Sequence, residues 1–130
     1  MNLDVATEEA CERVPGLVRG VLLLLPEGFL LAGVGDKGIL DLEPLMRSAA
    51  RCFSSKSRPC VAGHADGLEL TEYMFVIRDQ MVVMQRGQRD PRLALAVMCT
   101  RESNLNYALS TSRLALREIE SRIDLTSWGL

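Results

Sequence analysis

At 130 residues the chain has the length of one domain, and 48% hydrophobic against 25% charged residues is the balance of a protein that fills a core, not of a disordered tail. Lys and Arg number 15 and Asp and Glu 17, scattered along the chain to a net charge of -2, so no basic stripe exists to neutralise a phosphate backbone; with aromatics at 5% there are also few platforms for stacked bases, which together argue against a nucleic-acid partner. The acidic N-terminus (Asp4, Glu8, Glu9, Glu12) is unlike a secretory signal, and apolar runs such as Val21 to Leu25 are too short to span a bilayer, so residues 1–130 are read as a single cytoplasmic domain without membrane insertion.

From Leu3 to Val14 the apolar positions Leu3, Ala6, Ala10, Cys11 and Val14 recur at three- and four-residue steps with acidic residues between them. This predicts a short amphipathic helix that Pro15-Gly16 stops. Val21 to Leu25 is continuously apolar between Gly20 and Pro26, which suits a central strand covered on both faces. A helix is the competing reading; the strand is preferred because Pro26-Glu27-Gly28 supplies a tight turn and Phe29 to Val34 a partner of matching length. After Gly35 to Gly38, Asp41 reads as an N-cap, and Pro44 falls in the first turn, where its missing N–H breaks no helical bond. Leu42, Leu45, Met46, Ala49 and Phe53 share one face of this helix, while Glu43, Arg47 and Arg51 stand four apart on another.

The polar break Ser54 to Pro59 ends the helix, and Pro59 to Gly67 reads as a loop. Leu68 to Ile77 is expected to be one long strand, alternating up to Tyr73 and more apolar from Met74. Arg78-Asp79-Gln80 is a turn without glycine, Met81 to Met84 the next strand, Gly87 to Pro91 a second turn and Leu93 to Cys99 a fifth strand. Ser103 caps a last helix in which Leu105, Leu109, Ser112, Leu116, Ile119 and Ile123 step by four and three along one face. Adjacent strands joined by hairpin-length turns predict an α/β (α+β) domain: a five-stranded antiparallel sheet with helices on both faces.

Chemistry-bearing patterns are sparse. Cys11, Cys52, Cys60 and Cys99 form no C-x-x-C pair, and the single histidine, His64, has no cysteine at zinc-finger spacing, so neither a metal nor a cofactor is expected. The thiols read as small hydrophobes; a Cys52–Cys60 disulfide is the alternative that a reducing cytoplasm disfavours. His64 with Asp66 lacks the further groups of a nucleophile and base, and reads as a surface-loop histidine. Gly33-x-Gly35-x-x-Gly38 matches G-x-G-x-x-G, yet a dinucleotide loop follows the first strand of a parallel βαβ unit, and here a hairpin comes first. No catalytic residue is assigned, and the chain is read as a non-enzyme.

Val14-Pro15-Gly16-Leu17-Val18-Arg19-Gly20 before an apolar strand, then Glu27-Gly28-Phe29-Leu30-Leu31-Ala32, resembles the opening of the Roadblock family of dynein light chain and gliding-motility proteins. The helix with Ser48-Ala49-Ala50, the strands through Tyr73 to Ile77 and Leu93 to Val97, and the terminal helix follow in the family's order, so the resemblance covers essentially the whole chain. It departs at Asp79-Gln80, which lacks the glycine common there, and in having no long C-terminal extension of the kind some bacterial members carry. The resemblance implies a Roadblock (profilin-like) architecture that dimerises edge to edge through the third strand, with the second helices side by side. Leu45, Ala49, Thr71, Tyr73, Phe75 and Ile77 are then the expected dimer interface. A long strand with Tyr73, Phe75 and Ile77 left as an open sheet edge is also an aggregation hazard, which pairing with a second copy removes.

The family further implies a non-catalytic homodimeric regulator or partner of a small Ras-like GTPase, bound through Met46, Arg47, Ala50, Arg51 and Phe53. Two alternatives stand beside it. One is a structural adaptor of the dynein light chain type, and the other a small-molecule sensor with a ligand pocket lined by methionines and free cysteines.

Overall fold

Strands that are apolar at every position belong in the middle of a sheet covered on both faces, because neither side then offers water to a polar residue. In a computed structural model, which describes residues 2–35, 42–53 and 70–129, the innermost strand is the one richest in such positions. The strands are β1 (Leu17–Leu24), β2 (Phe29–Gly35), β3 (Glu72–Ile77), β4 (Gln80–Arg86) and β5 (Leu93–Thr100). They form one sheet of order β2-β1-β5-β4-β3, and every neighbouring pair is antiparallel. Leu93 to Cys99 on β5 are all buried, as are Val21, Leu22 and Leu23 on β1. The β1–β5 pairing, with Leu22 opposite Leu95, joins the β1–β2 hairpin to the β3–β4–β5 meander.

The two faces are covered unequally. Helices α1 (Leu3–Cys11) and α3 (Leu105–Arg122) share the face bearing Leu22, Val83, Leu95 and Val97. Helix α2 (Glu43–Cys52) covers the opposite face, over Val21, Leu23, Val82, Met84, Ala94 and Ala96. On the first face, polar ties hold the helices in register with the sheet. Buried Gln85 on β4 donates to Ser112 Oγ at 3.1 Å, Asp90 N–H donates to the buried Glu120 carboxylate at 2.7 Å, and Arg122 pairs with Glu9 at 2.7 Å. Arg113 on α3 reaches Glu72 on β3, its Nε 2.8 Å from Oε1.

Among the described residues, the five strands, three α-helices and two covered faces are as expected, and several boundaries differ. Helix α1 ends at Cys11 rather than Val14, although Val14 stays buried. Gly16, at φ +62°, turns the chain so that its carbonyl accepts from Thr100 N–H at 2.9 Å, against the β5–α3 connection. From there β1 starts at Leu17, four residues earlier than expected, because Leu17 and Arg19 find partners in Cys99 and Met98. The cap of α3 is Asn104, whose side chain accepts from Tyr107 N–H at 3.1 Å, and not Ser103. The Ser103 hydroxyl is instead drawn to the Pro15 carbonyl and to Thr100 Oγ1. Strand β3 starts at Glu72; Leu70 and Thr71 precede it. Gly38, Asp41, the polar break Ser54 to Pro59, the loop Pro59 to Gly67 with Cys60 and His64, the start of the long strand at Leu68 and the Cys52–Cys60 disulfide lie outside the described residues.

Candidate partner-binding surface

A ten-residue helix is too short to persist on its own and depends on what it docks against. Helix α2 starts after Leu42, which occupies the N-cap position without a side-chain cap bond, and has Pro44 in its first turn as expected. Its C-terminus is better held. The Phe53 carbonyl accepts from Arg86 Nη1 at 3.0 Å, and Arg86 Nε donates to the Pro91 carbonyl at 3.0 Å, so a cation from β4 sits at the negative end of the helix. Nothing in the order of residues along α2 announces this role for Arg86.

Leu45 and Ala49, 1% and 0% exposed, point into the sheet of their own chain. They therefore offer no surface to a second molecule, and any part they play at an interface is to seat the helix. Two flanks rise from this buried seam. On the β3 flank, Ser48 Oγ lies 3.1 Å from the Tyr73 hydroxyl, the buried Phe53 ring meets Tyr73 with centroids 5.1 Å apart, and Tyr73 stacks on Phe75 at 6.0 Å. Tyr73, Phe75 and Ile77 are half-buried on this face of the sheet, and Thr71, before the strand, is exposed. On the other flank lie Met46 and Ala50. Here Gly28, at φ +79°, brings the β1–β2 turn so near that a Cβ on it would stand 2.4 Å from the Met46 carbonyl oxygen. Arg47 and Arg51 project to solvent, while Met46 and Ala50 are partly covered. Of the partner residues expected from the sequence, Arg47 and Arg51 are thus exposed, Met46 and Ala50 are partly covered beside the β1–β2 turn, and Phe53 is buried against Tyr73 on the opposite flank. Ser48 and Arg86, which hold the helix to β3 and β4, do not stand out as site residues in the sequence because their partners lie 25 and 33 residues away.

The remaining chemical candidates behave as packing. Cys11 and Cys99 are buried free thiols; burial pushes them up to about 12 and about 11, and the neighbouring Cys99 and Glu118 add to the rise at Cys11. Such thiols are poor nucleophiles and poor metal ligands. The Gly33 N–H donates to Asp4 Oδ1 at 3.1 Å and is committed within the fold rather than offered to a phosphate. Among the described residues no three of His, Cys, Asp or Glu gather as a metal site, and no helix is long and apolar enough to cross a membrane. A dent between α1 and α3 beside Ala10, Thr111 and Leu114 holds about 20 Å³, room for one water and not for an organic ligand.

Five antiparallel strands in the order β2-β1-β5-β4-β3, with α2 on one face and α1 and α3 on the other, make this a Roadblock/LC7 fold. Among solved structures the chain is similar to a Roadblock/LC7 domain from Streptomyces avermitilis, at 18% identity and TM-score 0.67, over 94% of this chain and 98% of that one. It is similar to MglB of Myxococcus xanthus at 12% identity and TM-score 0.69, over 92% of each chain. The gliding protein MglB of Thermus thermophilus matches at 16% identity and TM-score 0.61, over 92% of this chain and 90% of that one. At these identities the likeness is one of fold. No protein-family model matches the chain, and neither does any curated protein.

Proposed function

We propose that this chain is a non-catalytic, homodimeric regulator of a small Ras-like GTPase in the cytoplasm, with β3 and the β3 flank of α2 facing a second copy and the Arg47–Arg51 ridge facing the GTPase. The observation that carries the reading is the placement of α2. One short helix, pinned at its C-terminus by Arg86, presents two solvent-exposed arginines directly beside an end strand whose aromatic residues are only half covered. The fold is shared with MglB proteins, one of which adopts a tetrameric arrangement, and this supports both assembly and a regulatory role.

Arg47 and Arg51 sit on a helix, whereas an arginine finger is carried to a nucleotide by a reaching segment; contact rather than catalysis is the role that fits them. A regulator of this kind acts by binding one nucleotide state more tightly, which shifts the GTPase's own switch loops by that difference in affinity. The test is binding of the GTP- and GDP-loaded forms of a small GTPase encoded beside this chain. The expected result is unequal affinity for the two, and loss of binding with Arg47→Glu/Arg51→Glu while the dimer persists. Equal affinity would reduce the protein to an adaptor, and no binding to any such GTPase would refute the reading.

A further inference from the structure

Strands lie about 4.8 Å apart and packed helices about 10 Å, so one helix covers about two strands. On the face that carries α1 and α3, α1 lies against β2 and β1 and α3 against β5 and β4, which leaves β3 bare. The β3 side chains that alternate away from α2 are Glu72, Met74 and Val76, opposite Gln85, Val83 and Met81 of β4. Their backbone groups point out along the sheet edge, because the Thr71 carbonyl, in phase with Tyr73, Phe75 and Ile77, accepts from Arg86 N–H on β4. Their side chains form a shelf, with Met74 and Val76 38% and 51% exposed. The side of α3 that overlooks this shelf is fixed by Arg113, which reaches Glu72. Residues four apart stack along one side of a helix, so Leu109 and Leu105 precede Arg113 in this row and Arg117 follows it. Helix α3 begins just after Thr100, which lies opposite Gln80 at the start of β4; half-buried Leu109 and 37% exposed Leu105 therefore fall level with Met74 and Val76.

The result is a corner between α3 and β3, apolar on both walls at one end and cationic at the other. Arg113, its side chain 46% exposed, closes the apolar stretch with Glu72, and exposed Arg117 meets no carboxylate among the described residues. Gln85, Gln88, Arg113 and Arg117 line a dent of about 20 Å³ there, room for one carboxylate oxygen. Glu120 in its wall is buried and turned to the Asp90 N–H. We propose that this corner docks a short acidic amphipathic helix of a partner protein, with apolar side chains on Met74, Val76 and Leu105 and carboxylates on Arg117 and the open side of Arg113. The row from Leu105 to Arg117 is about 18 Å long at about 1.5 Å per residue, which a partner helix of the same few turns spans. A basic helix would set like charges beside two arginines, and the one carboxylate at that end, Glu72, is already taken by Arg113. A second copy of this chain fits poorly: the outer face of α1 is acidic but offers Val5 as its one exposed large apolar residue. The corner lies on the opposite face of the sheet from Arg47 and Arg51, so both surfaces can be occupied at once, and it uses side chains rather than the edge of β3.

The probe is a labelled, stapled helical peptide with glutamates at i, i+1 and i+4, where the helix dipole favours them, and leucines at i+7, i+8 and i+11 on the same side. Fluorescence anisotropy with the full chain should show saturable binding, weakened at least roughly tenfold when lysines replace the glutamates or serines the leucines. Arg117→Glu, and separately Met74→Thr/Val76→Thr, should weaken binding of the glutamate peptide by a similar factor. All three side chains are exposed and threonine suits a strand, so circular dichroism and sedimentation of both variants should match the parent. No saturable binding of the glutamate peptide, equal binding of the lysine peptide, or unchanged binding by either variant overturns the proposal. Loss of self-association in Met74→Thr/Val76→Thr also overturns it, because a second copy would then be what covers the corner.

Discussion

At one end of the sheet, β2 carries an extra residue where the register with β1 shifts, and the Gly33 N–H is taken by the Asp4 carboxylate reaching over from α1. At the other end, β3 runs six residues in unbroken register with β4 and turns the backbone groups of Glu72, Met74 and Val76 outward. Both are last strands with exposed apolar side chains: Phe29 and Leu30 on β2, Met74 and Val76 on β3. Bulges and inward-reaching charges are means by which folds spoil an edge for unwanted strand addition. One edge is thus irregular and has an outward N–H already engaged, and the other is left regular. The comparison teaches that exposed hydrophobicity alone does not distinguish the two edges; the geometry of the outward backbone groups does, and it favours β3 for the proposed assembly.

The largest effect should come from breaking the regular edge. Phe75→Lys places an ammonium group where the aromatic row is expected to meet its counterpart, and an unpaired charge buried at an interface costs about 3 kcal/mol or more, roughly a hundredfold in dissociation constant. Phe75 is half-buried within its own chain, so circular dichroism is needed to show that the variant stays folded. A folded variant that sediments like the parent would show that β3 is not the assembly edge.

The second test opens the closed edge. Asp4→Ala removes the acceptor for Gly33 N–H and an acidic group from the first turn of α1, together worth about 1–2 kcal/mol. For a domain of this size that lowers Tm by about 3–8 °C. Asp4→Asn retains an oxygen acceptor without the charge and should fall between. The decisive reading is association: Asp4→Ala should add concentration-dependent species larger than the dimer, and an unchanged Tm and mass would mean that Asp4 does not guard β2.

Much of this fold was legible in the sequence where the signal is local. The unbroken apolar runs Val21 to Leu25 and Leu93 to Cys99 became central strands because a strand covered on both faces has no position for a polar residue. The seam Leu45 and Ala49, with Arg47 and Arg51 turned away from it, followed from helical spacing. What could not be read depends on partners far along the chain. Leu17 becomes strand because β5 lies alongside, and Arg19 because it is paired with Met98 on β5 and Gly35 on β2, while Ser103 loses the capping role to Asn104 as its hydroxyl is drawn to Pro15, 88 residues away. The guard on β2 is the same kind of feature: Asp4 and Gly33 carry no mutual signal until α1 is laid across the strand. Leu45 and Ala49 show the converse limit. Periodicity assigns them to the apolar face of α2 but does not say whether that face meets its own sheet or a second molecule.

The smallest effect should come from the turn that holds the regular edge in place. Ile77 and Gln80 are paired, so Arg78 and Asp79 make a two-residue hairpin, and Arg78 takes φ 54°. For a residue with a Cβ this left-handed backbone costs roughly 1–2 kcal/mol, which glycine escapes. Arg78→Gly also gives the unfolded chain more freedom, which removes about 0.4–1 kcal/mol of the benefit. Relief therefore exceeds loss by about 0.5 kcal/mol, a rise in Tm of roughly 2 °C. Arg78→Ala separates backbone from side chain: it keeps the Cβ and the strain, and because Arg78 is exposed it should leave Tm unchanged. The gain belongs to the β3–β4 hairpin, so the dissociation constant of the proposed dimer should not weaken. If Arg78→Gly instead lowered Tm, or if Arg78→Ala raised it as much, the left-handed turn would not be a source of strain at this edge.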